Sequence, residues 1–247
     1  ERIHAEGREA EVLVVTYLDR VDDALLSGLP SVRQVSSYGV GVNHVDLPAM
    51  GRRGIIVTNT PDVLTDATAD LAMALLLAAA RRVCEGDRLI RADGWREAGP
   101  EFLLGRQVTG KTLGVVGVGR IGSSVSRKVI AAFNMRVLGY DPYVDAATLS
   151  GYGVQKAESL AQMLPQCDFV TVHCSGGAET KRMINARMLA LMKPTAFLVN
   201  TARGTVVDEK ALIEALQNGR LAGAAIDVFD PEPPRHGNPL LHMDNVI

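Results

Sequence analysis

A glycine-rich turn between a predicted strand and a predicted helix constrains the fold of this chain more than any other feature. The turn, Gly117-Val-Gly-Arg-Ile-Gly122, follows a short apolar stretch of strand type at 111–116. From 123 to 133 apolar residues recur at the spacing of a helix face. A second predicted strand, 136–140, then ends in Asp141, roughly 20 residues after the last glycine. This order of strand, glycine turn, helix and acid is the pattern of a dinucleotide-binding βαβ unit.

The residues of this turn have distinct predicted tasks. Gly117 permits a tight turn, Gly119 lets the backbone approach a pyrophosphate, and Gly122 lets the helix pack closely on the strand. The N–H groups that begin the helix favour an anion. Asp141 can accept hydrogen bonds from both ribose hydroxyls and would repel a 2′-phosphate. We therefore expect NAD(H) rather than NADP(H), and the alternative is a glycine-rich turn without a ligand.

Composition and charge argue against other classes of function. Of the 247 residues, 47% are hydrophobic and 22% charged, as in soluble globular proteins, and the net charge of -2 argues against electrostatic binding of nucleic acid. The longest apolar run, 71–80, is too short to cross a bilayer, and the first residues lack the apolar core of a signal peptide. The three cysteines, Cys84, Cys167 and Cys174, have no metal-ligand spacing. We expect a cytoplasmic protein with no metal and no nucleic-acid or membrane partner.

Strand-like and helical segments alternate along the chain, which predicts parallel sheets. The first predicted strands are followed by a long helical stretch at 65–92, which Gly86 is expected to break, and by a Gly- and Pro-rich loop at 94–110. The fold class is therefore α/β, with two doubly wound parallel-sheet domains at 1–98 and 99–247. The predicted strands are at 12–16, 32–36, 55–58, 137–140, 169–173, 196–200 and 222–227.

Further motifs follow the glycine turn in order: His173-Cys174, Asn200-Thr-Ala-Arg-Gly204 and Asp227-Val-Phe-Asp-Pro-Glu-Pro233. Two loops at 38–46 and 59–65 precede it. Together these segments resemble the D-isomer-specific 2-hydroxyacid dehydrogenase family over essentially the whole chain. The resemblance implies a flavodoxin-like substrate domain, a Rossmann NAD domain and a cleft between them. There, hydride would pass between the nicotinamide and C2 of a small D-2-hydroxy acid or 2-oxo acid.

Arg203 is the first candidate for catalysis and for substrate binding. It follows the predicted strand at 196–200, in a loop at the carboxyl end of that strand. One planar guanidinium can hydrogen-bond both the carboxylate and the ketone of a 2-oxo acid. Its fixed charge would also stabilise the oxyanion that develops as hydride reaches C2. A surface arginine in a turn is the alternative interpretation.

Glu232 resembles the acid that partners a catalytic histidine in the family, and it would raise the pKa of that histidine. Asp230 is the second candidate for this acid. The alternative is that Glu232 is a solvated glutamate in a turn. None of the chain's histidines fits that partner: His4, His44, His173, His236 and His242. In the family the histidine follows a segment like 245–247. We therefore expect both ends of the sequence to be cut, the first domain to be incomplete and the general acid to lie beyond Ile247.

The resemblance assigns the remaining contacts. The backbone N–H groups of Val40 and Gly41 would hold the substrate carboxylate, and Asp227 would bind the nicotinamide carboxamide unless it only caps a helix. The other cofactor contacts would be Arg120, Ile121, Cys174 and Thr201. One departure stands out, because the chain reads His173-Cys-Ser-Gly-Gly-Ala178 where the family usually reads His-Cys-Pro-Leu-Thr-Pro. Two glycines predict a more flexible loop and a thinner wall of the cofactor site.

The substrate and the assembly are predicted from weaker signals. The segment 62–68 resembles glyoxylate/hydroxypyruvate reductases, whereas the turn at 140–143 resembles phosphoglycerate dehydrogenases, so 3-phosphoglycerate ranks second. An apolar helix at 65–80 suggests a homodimer. In the resembling reductases a tryptophan reaches the partner's active site, which Trp95 could do unless it packs in the core. An NADH-sensing scaffold similar to transcriptional corepressors is the rival function, whereas a hydrolase lacks a Gly-x-Ser-x-Gly turn.

Overall fold

The computed structural model describes residues 6–96 and 98–247, and the chain divides into two units between Leu64 and Thr65. The division lies earlier than the boundary predicted between 98 and 99. The first unit contains three strands and two helices, in the chain order β1 (Val12–Val15), α1 (Asp23–Ser27), β2 (Gln34–Ser37), α2 (Leu47–Arg53) and β3 (Ile56–Thr58).

The strands of the first unit form a parallel sheet in the order β1-β2-β3. Alternate residues of the strands, such as Leu13 and Val35, are buried with Leu26 and Met50 of the two helices. Each helix starts at an aspartate whose carboxylate accepts a backbone N–H bond, which satisfies one of the donors that a helix start leaves unpaired. The βαβ pattern predicted for this region is therefore observed.

The second unit contains the remaining elements in an alternating order. They are α3 (Thr65–Ala80), α4 (Val83–Arg91), β4 (Thr112–Val116), α5 (Arg120–Phe133), β5 (Arg136–Tyr140), α6 (Ala146–Gly151), β6 (Val154–Lys156), α7 (Leu160–Met163), β7 (Phe169–Val172), α8 (Ala186–Leu189), β8 (Phe197–Asn200), α9 (Glu209–Gln217) and β9 (Gly223–Ile226). Short 3-10 helices lie at Leu164–Gln166, Gly204–Val206 and Pro239–His242.

The six strands of the second unit form a parallel sheet in the order β6-β5-β4-β7-β8-β9. The chain therefore winds outward in one direction from β4 and then in the other direction from β7. In such a doubly wound sheet, ligands bind at the carboxyl ends of the strands, where the order reverses. Residues 245–247 run parallel beside β9, since the Ile226 N–H donates to the Ile247 carbonyl at 2.8 Å.

Helix α3 belongs to the second unit because of what it packs against. Its buried residues, which include Ala69, Ala72 and Leu76, face α5 and the strands β8 and β9. The Ser124 hydroxyl of α5 also donates to the Asp66 carboxylate at 3.0 Å. A helix with this apolar face is part of the larger core, and the division therefore comes before it rather than within the 94–110 loop.

The long helical stretch is broken at Arg82 rather than at Gly86. Arg82 adopts a left-handed conformation with φ of 55°, and its guanidinium donates two 2.6 Å hydrogen bonds to Glu85. Gly86 lies within α4. The positive φ ends the helical hydrogen-bond pattern one residue before α4 begins. Within the described part of the chain, no helix has both the length and the apolar character needed to cross a membrane.

Candidate functional site

The glycine turn joins β4 to α5, and its backbone explains why three positions are glycine. Gly117 has a φ of +86°, and a Cβ there would lie 2.6 Å from the Cys174 nitrogen. A Cβ on Gly122 would lie 2.1 Å from the Gly117 carbonyl oxygen. By contrast, a Cβ on Gly119 would meet nothing within 4 Å. Two of the glycines are therefore needed for packing, and the third leaves open space beside the backbone.

The start of α5 is suited to an anion. Gly119 occupies the N-cap position, where no side chain accepts a hydrogen bond from the first turn of the helix. The first turn of an α-helix presents backbone N–H groups that the helix itself cannot pair with carbonyl groups. A pyrophosphate placed at Gly119 would meet these donors and the positive end of the helix dipole.

Asp141 is held in a defined orientation at the end of β5. Its Oδ2 accepts the Val118 N–H at 2.9 Å, and its Oδ1 accepts the Tyr143 N–H at 2.9 Å. The side chain is buried. Because a carboxylate has about four acceptor sites, both oxygens can still accept hydroxyl groups of a ligand. The loops around Asp141 thus preorganise an acceptor for a ribose.

A cavity of about 700 Å³ lies between the glycine turn, the loop after β5 and the loop after β7. Its lining includes Gly117, Gly119, Asp141 and Cys174. Among the described residues that line it there is no lysine or arginine. The open space at Gly119 and the adjacent carboxylate fit the pyrophosphate and ribose of a dinucleotide.

His173 and Cys174 follow β7 at the edge of this cavity. The imidazole contacts the Thr171 hydroxyl through Nε2 at 2.9 Å and the Thr201 hydroxyl through Nδ1 at 3.5 Å. Burial lowers the pKa of His173 to about 4 and raises the pKa of the Cys174 thiol to about 11. At neutral pH both groups are uncharged, so His173 is a poor proton donor and Cys174 is not a thiolate.

Arg203 lies in the loop after β8, which a buried asparagine shapes. The Asn200 Oδ1 accepts the Ala202 N–H, and its Nδ2 donates to the Arg203 carbonyl, both at 3.0 Å. Arg203 itself is exposed, and its Nη1 donates to the Ala202 carbonyl at 2.6 Å. No role is predicted for Asn200 from the sequence, although an asparagine between a buried strand and a turn commonly braces the turn in this way.

The loops after β8 and β9 pack directly against each other. A Cβ on Gly204 would lie 2.0 Å from the Phe229 carbonyl, so only glycine allows this approach. The Asp227 N–H donates to the Asn200 carbonyl at 3.0 Å. Glu232 accepts the Phe229 N–H through Oε1 at 2.9 Å. Asp227 and Glu232 are therefore brought to the same sheet edge as Arg203, because β8 and β9 are parallel neighbours.

Gly176, where the sequence departs from the family pattern, contacts the stem of Arg203. A Cβ at Gly176 would lie 2.9 Å from the Arg203 Cγ. Gly176 and Gly177 also line the cavity. One loop therefore forms both a wall of the cavity and a support for the arginine. The greater flexibility expected of this loop stays a prediction.

The loop predicted to hold the substrate carboxylate lies in the first unit, after β2. Asn59 donates to the Val40 carbonyl at 2.8 Å, and the Ser37 hydroxyl donates to the Gly41 carbonyl at 3.4 Å. His44 contacts the same hydroxyl through Nε2 at 3.2 Å. These bonds fix the carbonyl groups of the loop.

The remaining predicted residues are less closely tied to a site. His236 and His242 are exposed, whereas His4 lies outside the described residues. Trp95 is 60% exposed, so the alternative that it packs in the core is wrong. In the described part of the chain, no group of three or more histidine, cysteine, aspartate or glutamate side chains could hold a metal ion.

Comparison with known proteins identifies the family. The model of the D-isomer specific 2-hydroxyacid dehydrogenase NAD binding domain matches residues 73–247. In an alignment of 251 positions, the chain is 43% identical to the glyoxylate reductase of Pyrococcus furiosus. The alignment covers 100% of this chain and 74% of the reductase. A Thermus thermophilus crystal structure matches with a TM-score of 0.91 and 43% identity, covering 99% of this chain and 76% of that one. The Aquifex aeolicus D-lactate dehydrogenase, solved with NAD and lactic acid, matches with a TM-score of 0.88 and 32% identity, covering 99% and 76%.

These matches confirm the resemblance seen in the motifs, the α/β fold class and the nicotinamide cofactor. The family model begins at residue 73, within α3, and includes the glycine turn, the Arg203 loop and the segment around Glu232. The relatives align with nearly the whole chain, including the first unit. The chain therefore belongs to the D-isomer-specific 2-hydroxyacid dehydrogenases, a family of NAD(P)-dependent oxidoreductases.

Proposed function

We propose that the enzyme reduces glyoxylate or hydroxypyruvate and that Arg203 holds the substrate. NADH, when bound, supplies the hydride that C2 of the acid accepts. The observation that carries the proposal is the loop after β8. Buried Asn200 braces this loop with two hydrogen bonds, and the loop exposes Arg203 at the sheet edge that also carries the glycine turn.

The chemistry of Arg203 suits a 2-oxo acid. Its guanidinium is planar and permanently charged, so two N–H groups can donate to a carboxylate oxygen and to the adjacent carbonyl oxygen. As C2 is reduced, negative charge develops on the carbonyl oxygen, and the guanidinium stabilises it. The bond from Nη1 to the Ala202 carbonyl is exchanged for one to the substrate. The backbone N–H groups of Val40 and Gly41 are the proposed further donors to the carboxylate.

The substrate oxygen also needs a proton. His173 is unsuited to supply it, since the low pKa keeps the imidazole neutral at neutral pH. We propose that the donor is a histidine other than His173 that pairs with Glu232. Glu232 would stabilise its protonated form, which raises its pKa toward the working pH. Asp227 and Thr201 are the proposed contacts of the nicotinamide half of the cofactor.

The preference for glyoxylate and hydroxypyruvate over a phosphorylated acid is supported by the basic residues of the first unit. Arg52 and Arg53 are the arginines that most closely follow the Val40 loop in the sequence. Both donate to the Asp23 carboxylate at 2.7 Å. Their charge is therefore partly neutralised within the unit, which disfavours 3-phosphoglycerate.

A spectrophotometric assay of NADH oxidation tests this function in the full-length protein. Glyoxylate, hydroxypyruvate, pyruvate and phosphohydroxypyruvate are compared under the same conditions. We expect the highest kcat/KM with glyoxylate or hydroxypyruvate. A higher value with phosphohydroxypyruvate would contradict the substrate assignment. Tight NADH binding without turnover of any of the four acids would support the NADH-sensing scaffold instead.

We further propose a cytoplasmic homodimer. The three cysteines are free, which supports a reducing compartment. Helix α4 has no buried residue, and several apolar side chains on and near it are exposed. Monomeric proteins rarely expose a cluster of apolar side chains in one region. The exposed side chains are Val83 and Ile90 on the helix, Trp95 shortly after its end, and Leu104, which lines a cavity with Arg82 and Glu85.

A second copy of the chain is the occupant that we propose for this surface. Light scattering of the full-length protein should give twice the mass of one chain. Ile90→Glu should shift the protein toward the monomer, whereas Leu241→Glu, at another exposed apolar position, should not. A monomeric wild-type protein, or a dimer that Ile90→Glu leaves intact, would contradict this interface.

A further inference from the structure

Two loops face each other across the cavity that we propose for the dinucleotide. One follows β5 and contains Asp141, Pro142 and Tyr143, and the other follows β7 and ends at Glu179 and Thr180. Strands β5 and β7 are not neighbours, because β4 lies between them. The sheet itself therefore does not tie the two loops together.

A hydrogen bond joins these loops. The Tyr143 hydroxyl donates to the Glu179 Oε2 at 2.6 Å, and this bond raises the pKa of the phenol. Tyr143 is 81% exposed, so core packing does not fix its ring. Its backbone N–H is fixed by Asp141. The tyrosine is thus held at one end by the carboxylate proposed for the ribose and at the other end by a carboxylate of the opposite loop.

Next to the Tyr143–Glu179 bond, hydrogen bonds within the β7 loop hold its two ends together. The Thr180 hydroxyl donates to the Ser175 carbonyl at 2.8 Å and contacts the Gly177 carbonyl at 3.4 Å. Two glycines within the loop, Gly176 and Gly177, give its backbone more conformational freedom than the family's usual residues would. A contact at the end of such a loop has a large effect on where the loop lies.

We propose that Tyr143 and Glu179 form a bar across the mouth of the cavity that slows release of the dinucleotide. The inference rests on the proposed location of the cofactor. While the bond is intact, the β7 loop is held over the adenosine half of the ligand. When the bond breaks, the loop can move away and the ligand can leave. Because the bond is also formed in the free protein, it must open for entry as well as for release, and release is the rate that the test measures.

The test measures NADH release by stopped-flow displacement in the full-length protein. Tyr143→Phe removes only the hydroxyl of an exposed side chain, so the fold is preserved. We expect NADH to leave this variant about five times faster, the factor that one such hydrogen bond provides. Tyr152→Phe, which removes a phenol outside the cavity lining, is the matched control and should release NADH at the wild-type rate.

Variants of the partner separate hydrogen bonding from charge. Glu179→Gln removes the charge but keeps an oxygen that can accept the tyrosine hydroxyl, so it should release NADH nearly as slowly as the wild type. Glu179→Ala should match Tyr143→Phe, and the double variant should be no faster than either single one. If Tyr143→Phe and Glu179→Ala speed NADH release independently, so that the double variant is faster than either single variant, the proposal is wrong.

A second readout needs no cofactor. In the free protein, the backbone amides of 175–180 should exchange hydrogen faster in Tyr143→Phe than in the wild type. If these amides exchange equally fast in the wild type and in Tyr143→Phe, the inference fails while the proposed function stands. The same holds if the wild type binds NADH and both proteins release it at the same rate. If the wild type takes up no NADH, the proposed function fails, and the inference about retention fails with it.

Discussion

Replacing Arg203 by glutamine in the full-length enzyme should lower kcat/KM for the 2-oxo acid by about 10³-fold, as expected when the main stabiliser of a developing oxyanion is lost. Glutamine keeps much of the length and polarity of the side chain but removes its charge and its paired N–H groups. The affinity for NADH should stay close to that of the wild type. Steady-state kinetics and NADH fluorescence titration measure the two quantities.

The lysine variant shows which property of Arg203 matters. Arg203→Lys keeps the positive charge but loses the planar fork, so its activity should lie between those of the wild type and Arg203→Gln. Arg187, an exposed arginine in helix α8 with no proposed function, supplies the control, since Arg187→Gln should be fully active. Undiminished turnover by Arg203→Gln would mean that another group binds the substrate.

Alanine at Gly122 should lower the stability of the protein, whereas alanine at Gly119 should lower its affinity for NADH and leave the stability unchanged. At Gly122 the new Cβ would lie 2.1 Å from a backbone oxygen, so the turn must shift. We expect a loss of about 3 kcal/mol in the free energy of unfolding, and a fall in Tm of roughly 10 °C. Thermal denaturation followed by circular dichroism measures this loss.

Gly119→Ala is the matched variant. Gly119 has a φ of -74°, which any residue adopts, and its Cβ would point into open space. The melting temperature should therefore stay at the wild-type value. The affinity for NADH should fall about tenfold or more, because the methyl group occupies space that a pyrophosphate needs. Wild-type affinity in this variant would show that the pyrophosphate does not lie against this backbone.

Much of the second unit was predictable from local patterns. The strand at 112–116, the glycine turn and Asp141 are close in the sequence, so their spacing alone indicates the βαβ unit. The Arg203 loop could also be placed, because a polar segment after a buried parallel strand must emerge at the carboxyl edge of the sheet. What local spacing could not predict is the identity of the groups that hold these residues.

Three features illustrate that difference. The division before α3 depends on the packing of Ala69 and its neighbours against β8 and β9, which are distant in the sequence. The need for glycine at Gly204 depends on a loop that arrives from β9 and brings Phe229 against it. The helix breaks at Arg82 because this residue has a positive φ. Glycine adopts a positive φ more readily than arginine, but Gly86 does not have one.

The sequence by itself determined the fold class, the family and the chemistry available to the site, because these follow from residue types at short spacings. Only the tertiary structure decided that the Tyr143 and Glu179 loops meet over the cavity and that the Phe229 loop packs on Gly204. Such contacts join residues from strands that are far apart in the chain. Their energies come from the packing of whole elements, and no local pattern records that packing.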